Sequence, residues 1–269
     1  MATFSSQLRG SHIMVTGGTK GIGKAIVEAL LGEGANVSYC ARSIRGDEFA
    51  SLANGAAGAP RAIGTAVDIG DASAIRAWVE VGAQEFGRVD GVVANAASFA
   101  VEATYESWQR SFQADILGLI ALIDTATPHL QSSTSSDASI VVVSSLAGFE
   151  ARHPAIAGPY STLKRAQATL AKDYARRLGP LGVRINTVVP GAIETRGETL
   201  PDGTWQPSRF EEAKKTKPEF LRGMLDCIPL ARFGDAEDVA SAAVFLLSPL
   251  ARYISGTNLI VDGGSSIAF

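Results

Sequence analysis

Strand-like and helix-like patterns alternate along the whole 269-residue chain. Short β-branched and aliphatic runs bounded by turns predict buried strands; they are HIMVT, NVSYCA, AIGTAVDI, GVVANA, SIVVVSS, RINTVVP and NLIVDGG. Between them, apolar residues recur every three or four positions, the spacing of an amphipathic helix; examples are KAIVEALL, ASAIRAWVEVGAQEF and AEDVASAAVFLL. Strands that alternate with helices predict an α/β fold in which helices cover both faces of a parallel sheet.

Two stretches depart from this regular alternation. The Gly/Ala-rich segment between NVSYCA and AIGTAVDI is interpreted as a polar helix. A longer stretch rich in Pro, Gly and charge, at about residues 194–230, predicts an irregular loop; a loop of that length usually forms a lid or a binding segment. Neither stretch has the character of a domain linker, so residues 1–269 are predicted to form one domain.

Composition narrows the classes of partner. The chain is 46% hydrophobic and 19% charged with a net charge of -3, a globular composition without the basic bias that nucleic acids attract. No window reaches the ~18 apolar residues of a membrane span, and no apolar run opens the sequence, so a cytosolic protein without membrane contact is expected. Two cysteines and three histidines are scattered without metal-ligand spacing. The absence of a G-x-S-x-G motif argues against a serine hydrolase.

A glycine cluster follows the first predicted strand. In TGGTKGIGKAIVEAL, Gly17, Gly21 and Gly23 stand at the entry to the first predicted helix. Glycines there let the backbone approach a phosphate, and the helix N-terminus offers free N–H groups and a positive dipole end to a pyrophosphate. The GxxxGxG spacing is one residue longer than the GxGxxG fingerprint. The cluster predicts a dinucleotide site, with a plain turn as the alternative.

The end of the second predicted strand indicates which dinucleotide binds. NAD sites place Asp or Glu there, about 20 residues beyond the glycines, to bind the ribose 2′-OH, whereas NADP sites use basic residues. The sequence has no acidic residue between Glu33 and Asp47. Arg42 stands where a 2′-phosphate would lie, and Lys20 in the glycine loop offers a second cation. NADP(H) is therefore predicted over NAD(H), with a solvated surface arginine as the alternative for Arg42.

The stretch GPYSTLK places a phenol and an ammonium four residues apart. Residues at this spacing share one helix face, and the apolar periodicity from Leu163 to Leu178 predicts a helix here. A nearby cation favours the phenolate and lowers a tyrosine pKa that is ~10 in a free side chain. Tyr160 and Lys164 are therefore candidates for proton exchange near neutral pH. An ordinary amphipathic helix is the alternative, because such pairs are frequent.

Seven motifs occur in order along the chain: TGGTKGIG, AVDIGD, ANAA, VVVSSLAG, YSTLK, RINTVVPGAIET and LIVDGG. In this combination the sequence resembles the short-chain dehydrogenase/reductase family over nearly its whole length. The resemblance implies a single-domain Rossmann fold with a doubly wound, seven-stranded parallel sheet and helices on both faces. It also implies a homodimer or homotetramer in which the helices around Asp115 and Tyr160 pack against their copies.

The same resemblance assigns candidate site residues. The family's catalytic serine, tyrosine and lysine fall on Ser145, Tyr160 and Lys164. Ser145 would hydrogen-bond the substrate oxygen, Tyr160 would give or take the proton, and Lys164 would lower the phenol pKa and bind the nicotinamide ribose. The other cofactor-binding residues that it implies are Thr19, Ile22, Asp68 at the adenine edge, Ile69, Asn95, Ile193, and Pro190, Gly191 and Thr195 flanking the nicotinamide.

Three features leave alternatives open. Ser144 ends the same strand as Ser145, but alternate residues face opposite sides and the family pattern uses the second serine. The interval from Ser145 to Tyr160 is longer than usual in the family, so His153 in the loop EARHPAIAG is expected as a substrate contact or a plain surface residue. Asp115, the candidate fourth catalytic residue, stands where relatives commonly carry an asparagine whose carbonyl holds a water leading towards the lysine.

The combined expectation is an NADPH-dependent reductase of a small or medium, mostly apolar ketone or aldehyde, reversible as an alcohol dehydrogenase. One alternative is a 3-oxoacyl carrier-protein reductase, which would need a basic docking patch near the mouth. Another is a nonenzymatic NADP sensor or scaffold, although such proteins typically lose the tyrosine or the lysine. The apolar lid residues expected to cover the substrate, or else to pack within the protein, are Trp205, Phe210, Phe220, Met224 and Leu225.

Overall fold

The computed structural model describes residues 5–46, 48–53, 58–100, 102–133, 137–150, 158–200 and 202–267. The strands of these residues are, in chain order, β1 (His12–Thr16), β2 (Asn36–Ala41), β3 (Ala62–Ala66), β4 (Gly91–Ala94), β5 (Ser139–Val143), β6 (Arg184–Pro190), β7 (Ile193–Glu194), β8 (Glu198–Thr199), β9 (Trp205–Gln206), β10 (Gly234–Asp235) and β11 (Asn258–Val261). Seven of them form one sheet in the spatial order β11-β6-β5-β4-β1-β2-β3. Every neighbouring pair in this sheet is parallel, which confirms the predicted Rossmann sheet.

Helices connect the strands of this sheet. The α-helices of the described residues are α1 (Gly21–Gly32), α2 (Ala72–Phe86), α3 (Tyr105–Phe112), α4 (Gly118–Gln131), α5 (Pro159–Leu178), α6 (Arg209–Thr216), α7 (Pro218–Asp226) and α8 (Ala236–Leu247). A π-helical segment, Gln113–Leu117, joins α3 to α4. Within the described ranges, no helix has the length and apolar character needed to cross a membrane.

The core consists of two apolar layers, one on each face of the sheet. Ile13 and Val15 belong to the layer packed under α1 and α8, whereas Met14 belongs to the layer packed under α2, α4 and α5. Alternate side chains of a strand face opposite sides, so the apolar run HIMVT requires helices on both faces. Burying each large apolar side chain contributes roughly 1.5–3 kcal/mol.

Two expectations about local structure are wrong. Residues 48–53, at the start of the Gly/Ala-rich segment, form turns instead of a helix; the segment's glycines each carry a helix penalty of about 1 kcal/mol. The stretch expected to be an irregular loop contains the hairpin β8–β9 and helices α6 and α7. Helix α6 begins at a capping box, in which Ser208 Oγ accepts the Glu211 N–H and the Glu211 carboxylate accepts the Ser208 N–H, both at 3.0 Å.

The strand order determines where a ligand can bind. From β1 the chain moves to β2 and β3 on one side, then returns to β4 beside β1 and continues to β5, β6 and β11 on the other side. The order therefore reverses between β1 and β4. In sheets of this kind ligands bind outside the carboxyl ends of the strands at the reversal point.

Candidate active site

A cleft of about 1600 Å³ opens at the carboxyl ends of the central strands. It brings together predicted residues from widely separated motifs: Gly17, Thr19, Lys20, Ile22, Gly23, Arg42, Asp68, Ile69, Asn95, Tyr160, Lys164 and Thr195. The predicted residues that do not line it are Gly21, Asp115, Ser145, Pro190, Gly191 and Ile193. Residues far apart in sequence thus meet where the strand order reverses.

The glycine loop has a backbone that other residues would strain. Gly17 and Gly21 have φ angles of 69° and 56°, in the left-handed region that glycine tolerates. A Cβ atom at Gly23 would lie 2.0 Å from the Gly17 carbonyl oxygen. No side chain caps the start of α1, which leaves N–H groups of its first turn available to a ligand. A pyrophosphate fits this cradle because it supplies acceptors and negative charge at a helix N-terminus.

Asn95 ties the glycine loop to the end of β4. Its Nδ2 donates to the carbonyl oxygens of Thr16 and Gly17 at 3.0 and 3.1 Å. In return, Thr16 Oγ1 accepts the N–H groups of Asn95 and Ala96 at 3.0 and 3.1 Å. The Asn95 amide therefore fixes the loop geometry. Sequence reasoning missed Thr16, although it immediately precedes the glycines.

Charged side chains line the part of the cleft that follows β2. Arg42 is exposed there and makes no ion pair or hydrogen bond with another described residue. Lys20 and Arg45 both face Glu198 of β8, with Nζ–Oε1 and Nη2–Oε2 distances of 3.8 and 3.7 Å. Asp68, also in the wall, accepts the Gly70 N–H at 2.9 Å. Arg45 and Glu198 were not identified from the sequence, because no local pattern pairs residues so far apart.

The two serines that follow β5 have different partners. Ser144 contributes to the cleft wall, but its hydroxyl donates to the Lys164 carbonyl at 2.7 Å. Ser145 Oγ accepts the Ala147 N–H at 3.2 Å, and its hydroxyl lies close enough to the Tyr160 phenol to lower the phenol pKa. Of the two, Ser145 is therefore the serine placed to act with Tyr160.

The Tyr160 phenol has a pKa above its ordinary value of 10.0. Burial of the hydroxyl is the main cause; the Ser145 hydroxyl and the Arg209 guanidinium lower the pKa, and the Asp115 carboxylate adds to the rise. The expectation that Lys164 lowers this pKa is wrong for this arrangement. The Lys164 ammonium instead donates to the Val143 carbonyl at 2.6 Å, and the loss of water around the phenol dominates.

Lys164 is almost completely buried, and its own pKa falls from 10.5 to about 8. Burial disfavours the ammonium, while the Asp115 carboxylate opposes that effect. A lysine with this pKa can gain or lose a proton close to neutral pH.

Asp115 is 1% exposed and lies in the π-helical segment. Its two carboxylate oxygens accept the N–H and the hydroxyl of Ser98 at 2.8 and 3.0 Å. Burial raises the Asp115 pKa, although Lys164 and Ser98 oppose the rise. The Asp115 carbonyl accepts Gln167 Nε2 at 2.8 Å, so a side chain takes one lone pair of the oxygen expected to hold a water. Gln167 follows Lys164 by three residues, a helical spacing that could have indicated it.

Comparison with known proteins assigns these features to a family. A short-chain dehydrogenase family model, described as "Enoyl-(Acyl carrier protein) reductase", matches residues 17–266. Isoepoxydon dehydrogenase of Penicillium expansum is 41% identical over 263 residues, which cover 96% of this chain and 95% of the relative. The chain belongs to the short-chain dehydrogenase/reductase family.

Two further members of the family agree with this assignment. Glucose 1-dehydrogenase 2 of Bacillus subtilis is 31% identical, with 97% of this chain and 96% of the relative covered. A short-chain dehydrogenase of Burkholderia cenocepacia, solved in complex with NADP, has a TM-score of 0.81 and 28% identity, with 96% of this chain and 99% of that chain covered. As a short-chain dehydrogenase/reductase, the protein is an oxidoreductase of alcohols or carbonyl compounds that uses a nicotinamide cofactor.

An aromatic wall borders the phenol of this short-chain dehydrogenase. The Phe99 and Tyr160 ring centroids are 4.4 Å apart, and the Arg209 guanidinium carbon lies 4.1 Å from the Phe99 centroid. Phe99 has a φ of 49°, which is strained for a residue other than glycine. The preceding residue, Ser98, is held by Asp115. No sequence pattern indicated Phe99 or Arg209.

The five apolar lid residues expected over the substrate do not line the cleft. Phe210 packs against Phe233 with ring centroids 4.9 Å apart, while Trp205 and Phe220 are 52% and 41% exposed. The residues of this stretch that do line the cleft are Thr195, Glu198, Leu200 and Arg209. The stretch therefore presents a largely polar surface to the cleft.

Pro190, Gly191 and Ile193, which do not line the cleft, are held by turn and core contacts. A Cβ atom at Gly191 would lie 2.7 Å from Asp262 Cβ, so this turn requires glycine. Pro190 ends β6 in a buried position, and Ile193 packs against the core layer under α8. His153 lies outside the described residues.

Proposed function

We propose that this protein is an NADP(H)-dependent carbonyl reductase, reversible as an alcohol dehydrogenase, with Tyr160 as the proton donor. The observation that carries the proposal is the Tyr160 phenol in the cleft wall, with the buried Ser145 hydroxyl close enough to lower its pKa. A carbonyl oxygen that receives a hydride becomes negatively charged and needs donors held in place beforehand. The Tyr160–Ser145 pair would supply two such donors.

Most of the residues that would hold the cofactor line the cleft. Bound NADPH would supply the hydride for reduction. Its pyrophosphate would lie on the glycine loop, and Lys20 and Arg42 would bind the 2′-phosphate, as their place in the cleft wall supports. The NADP complex of the Burkholderia relative also supports this choice of cofactor. The further residues proposed to hold the cofactor are Thr19, Ile22, Asp68, Ile69, Asn95, Lys164, Pro190, Gly191, Ile193 and Thr195.

The chain's own groups would move the proton. Because its pKa is raised, Tyr160 stays protonated at neutral pH, which is the form that a general acid needs. Ser145 would donate the second hydrogen bond to the substrate oxygen. Lys164, with a pKa of about 8, would bind the nicotinamide ribose and serve as a nearby source of protons.

We also propose a homodimer or homotetramer, with residues at about 194–230 acting as the lid of each subunit. The helices expected to pack against their copies expose Tyr105, Phe112 and Leu117 by 73%, 47% and 37%. Light scattering at micromolar concentration should give two or four times the chain mass of 28.0 kDa. A monomer under these conditions would contradict the oligomer.

The function can be tested by following NADPH absorbance with a panel of ketones, β-ketoesters and quinones. The reverse direction should be followed with NADP⁺ and alcohols. These should include glucose and isoepoxydon, because two relatives are named as dehydrogenases of these compounds. A higher kcat/KM with NADPH than with NADH, for at least one compound, is expected. Turnover restricted to carrier-bound 3-oxoacyl substrates would favour the carrier-protein reductase. NADPH binding without turnover of any compound in either direction would indicate a sensor.

A further inference from the structure

One acidic residue of the proposed lid lies among the cations of the cleft. Glu198 Oε1 is 3.8 Å from Lys20 Nζ of the glycine loop, and its Oε2 is 3.7 Å from Arg45 Nη2 in the loop after β2. Arg45 Nη1 also donates to the Thr199 carbonyl at 2.8 Å. All three charged side chains line the cleft together with Arg42. Strand β8 is therefore attached to both of the loops that would bind the adenosine end of the cofactor.

The loop that carries Arg45 is held in place by a second carboxylate. Glu48 accepts the Arg45 N–H at 2.7 Å, the Gly46 N–H at 2.8 Å and the Tyr39 hydroxyl at 2.8 Å. These bonds fix the backbone that presents Arg45 to the cleft. Among the described residues, Glu198 is the acid that forms an ion pair with the Arg45 side chain.

Glu198 is also fixed from its own side. It pairs with Gln206 in the antiparallel hairpin β8–β9, and the preceding residue, Gly197, donates its N–H to the Glu211 carboxylate at 3.2 Å. A Cβ atom at Gly197 would lie 2.3 Å from the Gln206 carbonyl oxygen. The carboxylate therefore projects from an ordered hairpin, and its ion pairs join two fixed surfaces.

We propose that Glu198 is a specificity-determining residue that competes with the cofactor's 2′-phosphate for Lys20 and Arg45. The inference rests on the proposed NADP(H) preference. A 2′-phosphate placed among Lys20, Arg42 and Arg45 must share two of these three cations with the carboxylate and is repelled by its charge. A dinucleotide with a free 2′-OH carries no charge at this position. Glu198 therefore limits the discrimination between NADPH and NADH that the three cations would otherwise give.

Direct binding measurements test the competition without relying on turnover. Glu198→Gln keeps the side-chain shape and removes its charge, so the Kd for NADPH and for 2′,5′-ADP should fall about two- to fivefold, the size expected for partly exposed charge pairs. The Kd for NADH and for 5′-AMP should change less than twofold. The gain should shrink at high salt, because screening weakens exposed charge interactions. Glu219→Gln is the matched control, since Glu219 is an exposed lid residue paired with Arg222 and does not line the cleft.

A second variant distinguishes competition for Lys20 from an indirect effect of Glu198→Gln on the structure of the lid. In a Lys20→Gln background, Glu198→Gln should tighten 2′,5′-ADP binding less than in the wild type, because one of the contested cations is gone. Unchanged NADPH affinity in Glu198→Gln would overturn the proposal. A loss of NADH affinity would also overturn it and would assign Glu198 to the ribose hydroxyl. Equal wild-type affinity for both cofactors would contradict the NADP(H) preference alone, because the competition is measured as the ratio of variant to wild-type Kd.

Discussion

The two ends of the cleft differ in how far their charged groups are exposed to water. At the end with Tyr160, which is half-buried, the neighbouring groups proposed for catalysis are buried and bonded to the protein, as with Lys164 on the Val143 carbonyl and Asp115 on Ser98. At the end with Lys20 and Arg42, the charges are exposed to solvent. Burial shifts pKa values and fixes geometry, at a cost in stability. Exposed charges select a ligand at little cost, but each contributes little and is screened by salt.

The largest expected effect comes from the buried end. Tyr160→Phe removes the proposed proton donor while leaving the ring, so turnover should fall by about 10²–10⁴, the usual contribution of positioned acid–base catalysis. Cofactor Kd by fluorescence titration and the thermal unfolding midpoint should stay close to those of the wild type. Tyr253→Phe, at a fully exposed position outside the helices proposed to pack between subunits, is the matched control. If Tyr160→Phe keeps most of its activity, Tyr160 is not the proton donor, and the buried end of the cleft does not carry the catalytic step.

The stability cost of the buried end is also measurable. The Lys164 pKa is lowered from 10.5 to about 8, so between these pH values the unfolded chain binds more protons and the free energy of unfolding rises with pH. A shift of this size corresponds to at most roughly 3 kcal/mol. Lys164→Met should lack this rise, and urea denaturation between about pH 7 and 10 can detect the difference.

Other groups also titrate in this range, so the comparison must be made between the two proteins. The buried Cys40 thiol, for example, has a pKa raised to about 12 and reduces stability at high pH in both. The difference in unfolding free energy between wild type and Lys164→Met should change with pH. A difference that stays constant would contradict the prediction that Lys164 is buried and titrates in this range. The variant should also lose turnover and cofactor affinity, because the lysine lines the cleft.

The exposed end should give a smaller and salt-sensitive effect. Arg42→Ala should weaken NADPH binding about tenfold, the lower part of the range for charge-assisted hydrogen bonds, because the side chain is exposed. NADH binding should be unchanged, and Arg76→Ala, an exposed arginine outside the cleft, is the control. An unchanged ratio of the two affinities would show that Arg42 is a solvated surface residue. A loss equal at low and high salt would show that the exposed end does not act through charge.

The sequence predicted those parts of the molecule that depend on local pattern. Strand periodicity, the glycine cluster and the Tyr160–Lys164 spacing are local, and the sheet and the two ends of the cleft were predicted from them. The partners of these residues depend on tertiary contacts, so Glu198, Phe99 and the acceptor of the Lys164 ammonium could not be predicted. The direction of the Tyr160 pKa shift was wrong for the same reason, because the extent of burial is a property of the folded site. The α6 capping box was a local signal that went unused.

The smallest effect is expected at Asp115, where the family asparagine is replaced. In Asp115→Asn, the amide oxygen can still accept the Ser98 N–H, and the amide nitrogen can donate to the Ser98 hydroxyl, which also bonds Ser111. The backbone carbonyl that accepts Gln167 is unchanged. Turnover should therefore change less than about tenfold, or 1.4 kcal/mol. The lost negative charge should lower the Tyr160 pKa, because the carboxylate raises it, so the pH profile of alcohol oxidation should move to lower pH.

Asp115→Leu separates the charge of this residue from its hydrogen bonds. Leucine also removes the charge, but it removes the acceptor of the Ser98 N–H as well, whereas the Ser98 hydroxyl keeps Ser111 as a partner. A hydrogen bond to a charged group contributes about 1.5–3 kcal/mol. Because Ser98 precedes Phe99, whose ring lies against Tyr160, the leucine variant should lose both stability and kcat/KM while the asparagine variant keeps them. Equal behaviour of the two variants would show that the carboxylate acts only through its charge. If the wild type binds NADPH without turnover and Asp115→Asn becomes active, the aspartate disables the buried end, and the protein resembles an enzyme only in its fold.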